Sequence, residues 1–191
     1  MPETTEKGNS RRRQIVRITV AGVMTALIFV ATQIRIPTPA GFANLGDVVI
    51  IVCGFIMGPL AVIPAVIASA MADVVTGYPM FVPATAVIKG IMGFAVGFYY
   101  KKAIAHFTNK TGLAVRDYIH KWRFVIRDVA VFIGTELIMV SGYLCYEALP
   151  FMFGWQTALA ELPYNLVQGL IGVMGALIVT RIPGIYRLRL K

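Results

Sequence analysis

Lys89 sits in an apolar run, 83–100, that carries no other charged residue. An ammonium in such a place needs an anion, a ligand, or both. Thr85 lies one helical turn before it on the same face. Asp47, Asp73 and Glu136 are the carboxylates set in or beside other apolar runs. Glu136, Tyr143 and Glu147 fall near one helical stripe, and Asn165 and Gln168 share a face at i, i+3 next to Tyr164. Amides, hydroxyls and one ammonium make a chemistry of recognition, in which a polar molecule is held by directed hydrogen bonds. Bond-breaking chemistry finds no footing. Ser10, Ser69 and Ser141 have no histidine at matching depth, and His106 and His120 lie among cations in a central loop. There is no H-E-x-x-H and no G-x-x-x-x-G-K-[ST], so neither that zinc chemistry nor that route of ATP hydrolysis is available. Cys53 and Cys145 lack metal-ligand spacing and read as small buried hydrophobes. No enzyme activity, metal or cofactor is expected.

The elements that position these side chains must lie in a membrane. Of 191 residues, 58% are hydrophobic and only 14% charged, whereas a soluble domain carries about a quarter charged; mean hydropathy is +0.74. The spacing predicts six spans, at about 14–34, 47–58, 60–77, 83–100, 126–147 and 162–181. Gly58-Pro59 separates the second, which is short, from the third by a tight turn. The apolar stretch from Ile15 to Ile34 is too long for a cleaved signal and reads as a retained first helix. Residues 1–10 are expected to be a disordered cytoplasmic N-terminus and 11–191 a single six-helix membrane domain.

A net charge of +9 suggests nucleic acid only until the cations are placed. They fall in clusters between apolar runs, with no basic face interleaved with aromatics. With six spans, 16 of the 18 Lys and Arg lie on one side, leaving Arg35 and Lys89. Positive charge marks the cytoplasmic side, so both termini are expected there. An odd count puts the C-terminal cations outside.

Depth follows from 1.5 Å per residue. Lys89 lies about 9 Å below the outer surface, Asn165 and Gln168 within about 9 Å, and Glu136 about 16 Å. The polar groups thus gather in the outer half, over an inner half that reads as apolar and glycine-rich. A channel needs polar lining throughout. This pattern describes a pocket open outward and sealed below. Two readings stay open for Lys89: structural pairing with Asp47, Asp73 or Glu136, or pairing that also lines a ligand site. The outer loops 35–46, 77–82 and 148–161, rich in Gly, Pro and aromatics, read either as a lid or as plain connections. Trp122, among cations, reads as an interface anchor, and Trp155 in an outer loop as an anchor or an aromatic cover. Small-residue stripes at Gly22/Ala26, Gly93/Gly97 and Gly169/Gly172/Gly175 allow close helix approach, and the first could face a partner protein.

The segments Asn44-Leu-Gly-Asp47, Gly58-Pro59, Asp73, Gly77-Tyr78-Pro79, Thr85 and Lys89-Gly90-x-x-Gly93 resemble the S-components of energy-coupling factor (ECF) transporters, nearest the riboflavin-type branch. The resemblance implies an S-component-like bundle of six transmembrane helices in a prokaryotic plasma membrane. It also implies a water-soluble vitamin held beneath the first outer loop, with a coupling membrane subunit and two ATPases as partners. Docking on the coupling subunit is expected through Gly22-x-x-x-Ala26, where the family has Ala at both positions.

The expected binding set is Asn44, Asp47, Tyr78, Thr85, Lys89, Glu136, Tyr143, Trp155, Asn165 and Gln168, with Phe42 as a further stacking ring. The first guess for the ligand is a small heteroaromatic such as pyridoxine or hydroxymethylpyrimidine. Pantothenate, riboflavin, folate and cobalamin stay open. The alternative function is a solitary small-molecule permease that works without ATPase partners.

Overall fold

A computed structural model describes residues 2–119, 122–182 and 184–190; His120, Lys121 and Lys191, three of the residues assigned above to the basic side, lie outside them. Long apolar runs satisfy their backbone hydrogen bonds within themselves, as hydrocarbon demands. The result is helix α1 (Pro2–Gln33), α2 (Gly46–Met57), α3 (Val62–Val75), α4 (Val82–Thr111), the short α5 (Val115–Ile119), α6 (Trp122–Glu147) and α7 (Gly154–Thr180). Between α1 and α2 the chain forms an antiparallel ribbon, β1 (Arg35–Pro37) and β2 (Phe42–Asn44), pairing Arg35 with Asn44 and Pro37 with Phe42.

Among the described residues four helical stretches are long and apolar enough to cross a membrane: Ser10–Gln33, Gly46–Val75, Pro79–Thr111 and Gly154–Thr180. The second contains both α2 and α3, and its packing shows that it is folded back on itself. Lys89 of α4 meets Asp47 of α2, and Val96 packs at Gly54, so α2 and α4 run in the same direction. Along α3 the order reverses. Ala61 and Ala65 lie against Gly93, and Val66 against Gly90. The turn is the 3-10 segment Gly58–Ala61, where Gly58 adopts φ 64° and hands over to Pro59. α4 rests in the fork of this hairpin. Gly97 makes that possible: a Cβ there would collide with the carbonyl of Gly58 and lie 2.7 Å from the Pro59 nitrogen. The Gly-Pro turn is therefore legible in sequence, but its seat on Gly97 is not.

α6 runs antiparallel to α4, since Tyr143 meets Thr85 near one end and Asp128 meets Tyr99 near the other. α7 reverses again, with Gly169 and Gly172 against Glu136 and Arg181 reaching Asp128. Arg17, Pro59, Lys101 and Arg189 line one depression, so Arg17 of α1 and the segment after α7 lie at the end of the bundle that holds the Gly58 turn. The β-ribbon lies at the other end.

Several expected boundaries shift. α1 is helical from Pro2, through the N-terminus expected to be disordered. α4 continues to Thr111 rather than stopping near residue 100, as Lys101, Lys102, Ala103 and Ala105 are good helix formers and Ala103, Ile104 and Phe107 are buried beyond the apolar run. α7 starts at Gly154 rather than 162, with Pro163 inside it. Proline there removes one backbone hydrogen bond in the third turn, and the helix continues through the seventeen residues that follow it. Loop 148–161 therefore shrinks to 148–153, and loop 35–46 is largely a β-ribbon.

The inner half is less uniform than expected. Ile50, Ile51, Phe55, Met92, Val96, Phe132 and Met139 form an apolar core. Below it Asp128, fully buried, accepts hydrogen bonds from Tyr99 (2.9 Å), Tyr118 (3.3 Å) and Arg181 (2.7 Å). The tyrosines and Asp128 were hidden in sequence by the basic residues around them. Asp128 lies eight residues before Glu136 on α6, about 12 Å along the axis, and Phe132 fills the interval. The polar groups at the two ends do not join.

Candidate ligand-binding site

The sharp turn after α1 brings the β-ribbon across the ends of α3, α4, α6 and α7, and beneath it lies a cavity of about 50 Å³. Its walls are Gly41, Phe42 and Asn44 from the ribbon, Asp73 and Tyr78 from the end of α3 and the turn after it, Phe81 and Thr85 from the start of α4, Tyr143 and Glu147 from α6, and Glu161, Asn165 and Gln168 from α7. Five separate segments thus converge on one space, which is what short connections between alternating helices make available at one end of a bundle.

Two side chains of α7 hold the ribbon down. The Ala40 amide donates to Glu161 Oε1, and the Asn44 amide donates to Gln168 Oε1 over 2.8 Å. The Asn44 carboxamide in turn accepts from the Gly46 amide and starts α2. Aromatic rings line the wall beside the latch. Phe42 meets Tyr78 edge-on at 5.6 Å, and Phe81 contacts Tyr78, Tyr143 and Phe153, the last stacked at 5.8 Å. Arg35, the cation on the outer ribbon, stacks over Phe42 at 5.1 Å.

A second, smaller void of about 10 Å³ lies beside the first and shares Asn44, Asp73, Thr85 and Tyr143 with it. That is at the lower limit for one water. Lys89 and Asp47 line this void and not the main cavity. Lys89 Nζ donates to Asp47 Oδ1 at 2.5 Å, and Gln168 Nε2 donates to Asp47 Oδ2 at 2.5 Å. The Thr85 and Tyr143 hydroxyls hydrogen-bond to each other at 3.0 Å, and Lys89 lies 5.3 Å from the Tyr143 ring centre. One chain of contacts therefore runs from Lys89 through Asp47 and Gln168 to the Asn44 amide of the ribbon. The floor and the roof of the cavity are mechanically joined.

Of the residues expected from sequence, Asn44, Tyr78, Thr85, Tyr143, Asn165 and Gln168 line the main cavity, and Asp47 and Lys89 form its floor. Glu136 lies outside both voids. It is buried against Gly169 and Gly172, within electrostatic reach of Lys89, and neither of its oxygens has a hydrogen-bond partner. Trp155 stands on the first turn of α7, exposed, and lines neither void. Gly22 and Ala26 face outward on α1, and a Cβ on Gly22 would meet nothing within 4 Å.

Sequence reasoning missed Glu161 and Phe81. Glu161 stood one residue before the expected sixth span and was taken for part of a loop. Phe81 stood in the aromatic loop 77–82, where composition gave no reason to separate it from its neighbours.

Comparison with known proteins agrees with this arrangement. Residues 12–183 match the family described as "ECF-type riboflavin transporter, S component". A protein of Pyrococcus woesei described as "Uncharacterized protein in gap 3'region" is 31% identical over 147 residues, covering 74% of this chain and 82% of that one. A bundle of apolar helices with a roofed polar cavity at one end, matched over nearly its whole length, belongs to the S-component family of ECF-type riboflavin transporters and is a multi-pass membrane protein.

Proposed function

We propose that this chain captures a water-soluble heteroaromatic vitamin from outside the cell, in the plasma membrane, and passes it inward only with a coupling subunit and two ATPases. In this reading α1, α2, α3, α4, α6 and α7 each cross the membrane and both termini are cytoplasmic. The clustering of Arg17, Lys101 and Arg189 at the end opposite the ribbon supports that orientation. The observation that carries the proposal is the latched roof. A cavity of about 50 Å³ has room for a few waters, whereas a ligand pocket has roughly 300–1,000 Å³. The ribbon must lift to admit a vitamin and close to hold it.

Phe42, Tyr78, Phe81 and Tyr143 supply faces for an aromatic ring, and Asn44, Thr85, Asn165 and Gln168 supply directed hydrogen bonds. Lys89, Asp47 and Glu136 support the floor. Riboflavin is the first ligand to try, since the family is described by it; pyridoxine and hydroxymethylpyrimidine are smaller rings of the same kind. The exposed Gly22/Ala26 stripe is the surface proposed for the coupling subunit, because small residues let a partner helix approach closely.

The test separates capture from transport. The purified chain should bind one equivalent of vitamin, yet vesicles containing it alone should not take the vitamin up. Uptake should appear when the coupling subunit, the ATPases and ATP are added. Equilibration of vitamin by the chain alone makes it a solitary permease and rejects the proposal.

A further inference from the structure

The main cavity is lined by three carboxyl groups, Asp73, Glu147 and Glu161, and among the described residues by no Lys or Arg. All three are more than nine-tenths buried. Glu161 is occupied by the Ala40 amide, but Asp73 Oδ2 and Glu147 Oε2 have no hydrogen-bond partner, and neither does Asn165 Nδ2. Buried carboxylate oxygens are almost always paired, because an unpaired one forfeits its hydration without return. Lys89 lines the smaller void, within electrostatic reach of Asp73, and its ammonium is engaged by Asp47. Arg35 is turned to Phe42 on the ribbon and does not line the cavity. The vacant positions are therefore two acceptors and one donor inside an acidic wall.

We infer that the site selects its ligand by charge: it takes a neutral or cationic heteroaromatic rich in N–H and O–H donors, and rejects molecules bearing a carboxylate or phosphate. The inference rests on the vitamin-capture reading and adds the chemical class of the ligand. Ring hydroxyls, amino groups or a polyol side chain would donate to Asp73 and Glu147, while a ring carbonyl or ring nitrogen would accept from Asn165. An anionic group in the same place meets three carboxyl groups and no Lys or Arg in the cavity wall. Glu147, Asp73 and Glu161 are then the determinants of specificity, and the aromatic rings set only shape.

The test uses the purified chain and matched probes: riboflavin against riboflavin 5'-phosphate, pyridoxine against pyridoxine 5'-phosphate, and pantothenol against pantothenate. At least one uncharged member should bind, and its anionic counterpart at least tenfold more weakly. The double substitution Glu147→Gln with Glu161→Gln keeps size and an acceptor for the Ala40 amide, and should shrink that ratio several-fold. A merely structural role would lower both affinities and leave the ratio unchanged. Should the double variant fail to fold, Asp73→Asn is read on the same ratio. An anionic probe that binds as tightly as its neutral partner, or a ratio untouched by the substitutions, overturns the charge rule and leaves vitamin capture standing. Binding of no probe overturns capture itself and the charge rule with it.

Discussion

Replacing Lys89 with Met should separate the structural part of the floor from its contact with ligand. The side chain is 3% exposed, and its Nζ lies 2.5 Å from Asp47 Oδ1. At an effective dielectric of 20 that separation corresponds to about 7 kcal/mol of gross attraction, much of it offset by desolvation. Loss of one member of a buried pair destabilises by about 3–5 kcal/mol, because the other charge is stranded. Asp47 would retain only Gln168 Nε2. Glu136, already without a hydrogen-bond partner, would lose the cation it faces. The double variant Asp47→Asn with Lys89→Met removes both charges, keeps an acceptor for Gln168, and should recover most of the loss. Unfolding in detergent titrations, read as a four-member cycle, should give a coupling of several kcal/mol. Vitamin affinity should follow stability: weak in Lys89→Met, and back within about tenfold in the double variant, since no charge is then stranded beneath the Gln168 link to the ribbon. A Lys89→Met loss below about 1 kcal/mol would show that the pair does not hold the floor. A stable double variant that binds no ligand would mean that Lys89 touches the vitamin directly.

Gln168→Ala removes both the ribbon amide's acceptor and Asp47's second partner, and should speed vitamin release about tenfold or more in stopped-flow dissociation; an unchanged rate removes Gln168 from the latch. Gly97→Ala forces a methyl group into the backbone at Gly58 and Pro59 and should lower stability by about 1–3 kcal/mol in the same detergent titration, or abolish folding. A Cβ at the exposed Gly22 meets no atom within 4 Å, so in Gly22→Leu thermal stability should hold while co-purification with the coupling subunit falls; unaltered co-purification would place docking elsewhere.

Most of the architecture was legible because hydrocarbon is an exacting solvent. Apolar runs fixed the helices, and the Gly58-Pro59 turn divided one run of thirty residues into a hairpin, which composition alone reads as a single span. Three of the clustered cations, Arg17, Lys101 and Arg189, do lie together at one end of the bundle. What escaped was decided by tertiary contact. The sixth apolar run reads from 162, yet α7 begins at Gly154 and carries Pro163 in its third turn. Glu161 looked like loop and became the latch on Ala40, a contact 121 residues away that no local pattern encodes. Lys89 showed the reverse limit. Its burial and its need for a partner were readable, but whether that partner was Asp47, Asp73 or Glu136 depended on helix rotation, which the spacing left open. The β-ribbon, three residues a side, was too short to leave a period-2 signature.

The central claim is that the polar cavity opens at only one face of the membrane, the face away from the basic end. It is most directly tested by placing one cysteine in the cavity, Asn165→Cys, after replacing Cys53 and Cys145 with Ala. A membrane-impermeant thiol reagent should label it in intact cells, should label it far less when presented to inverted vesicles, and should be blocked by bound vitamin. Labelling from the cytoplasmic face, or labelling that saturating vitamin does not slow, would contradict the account.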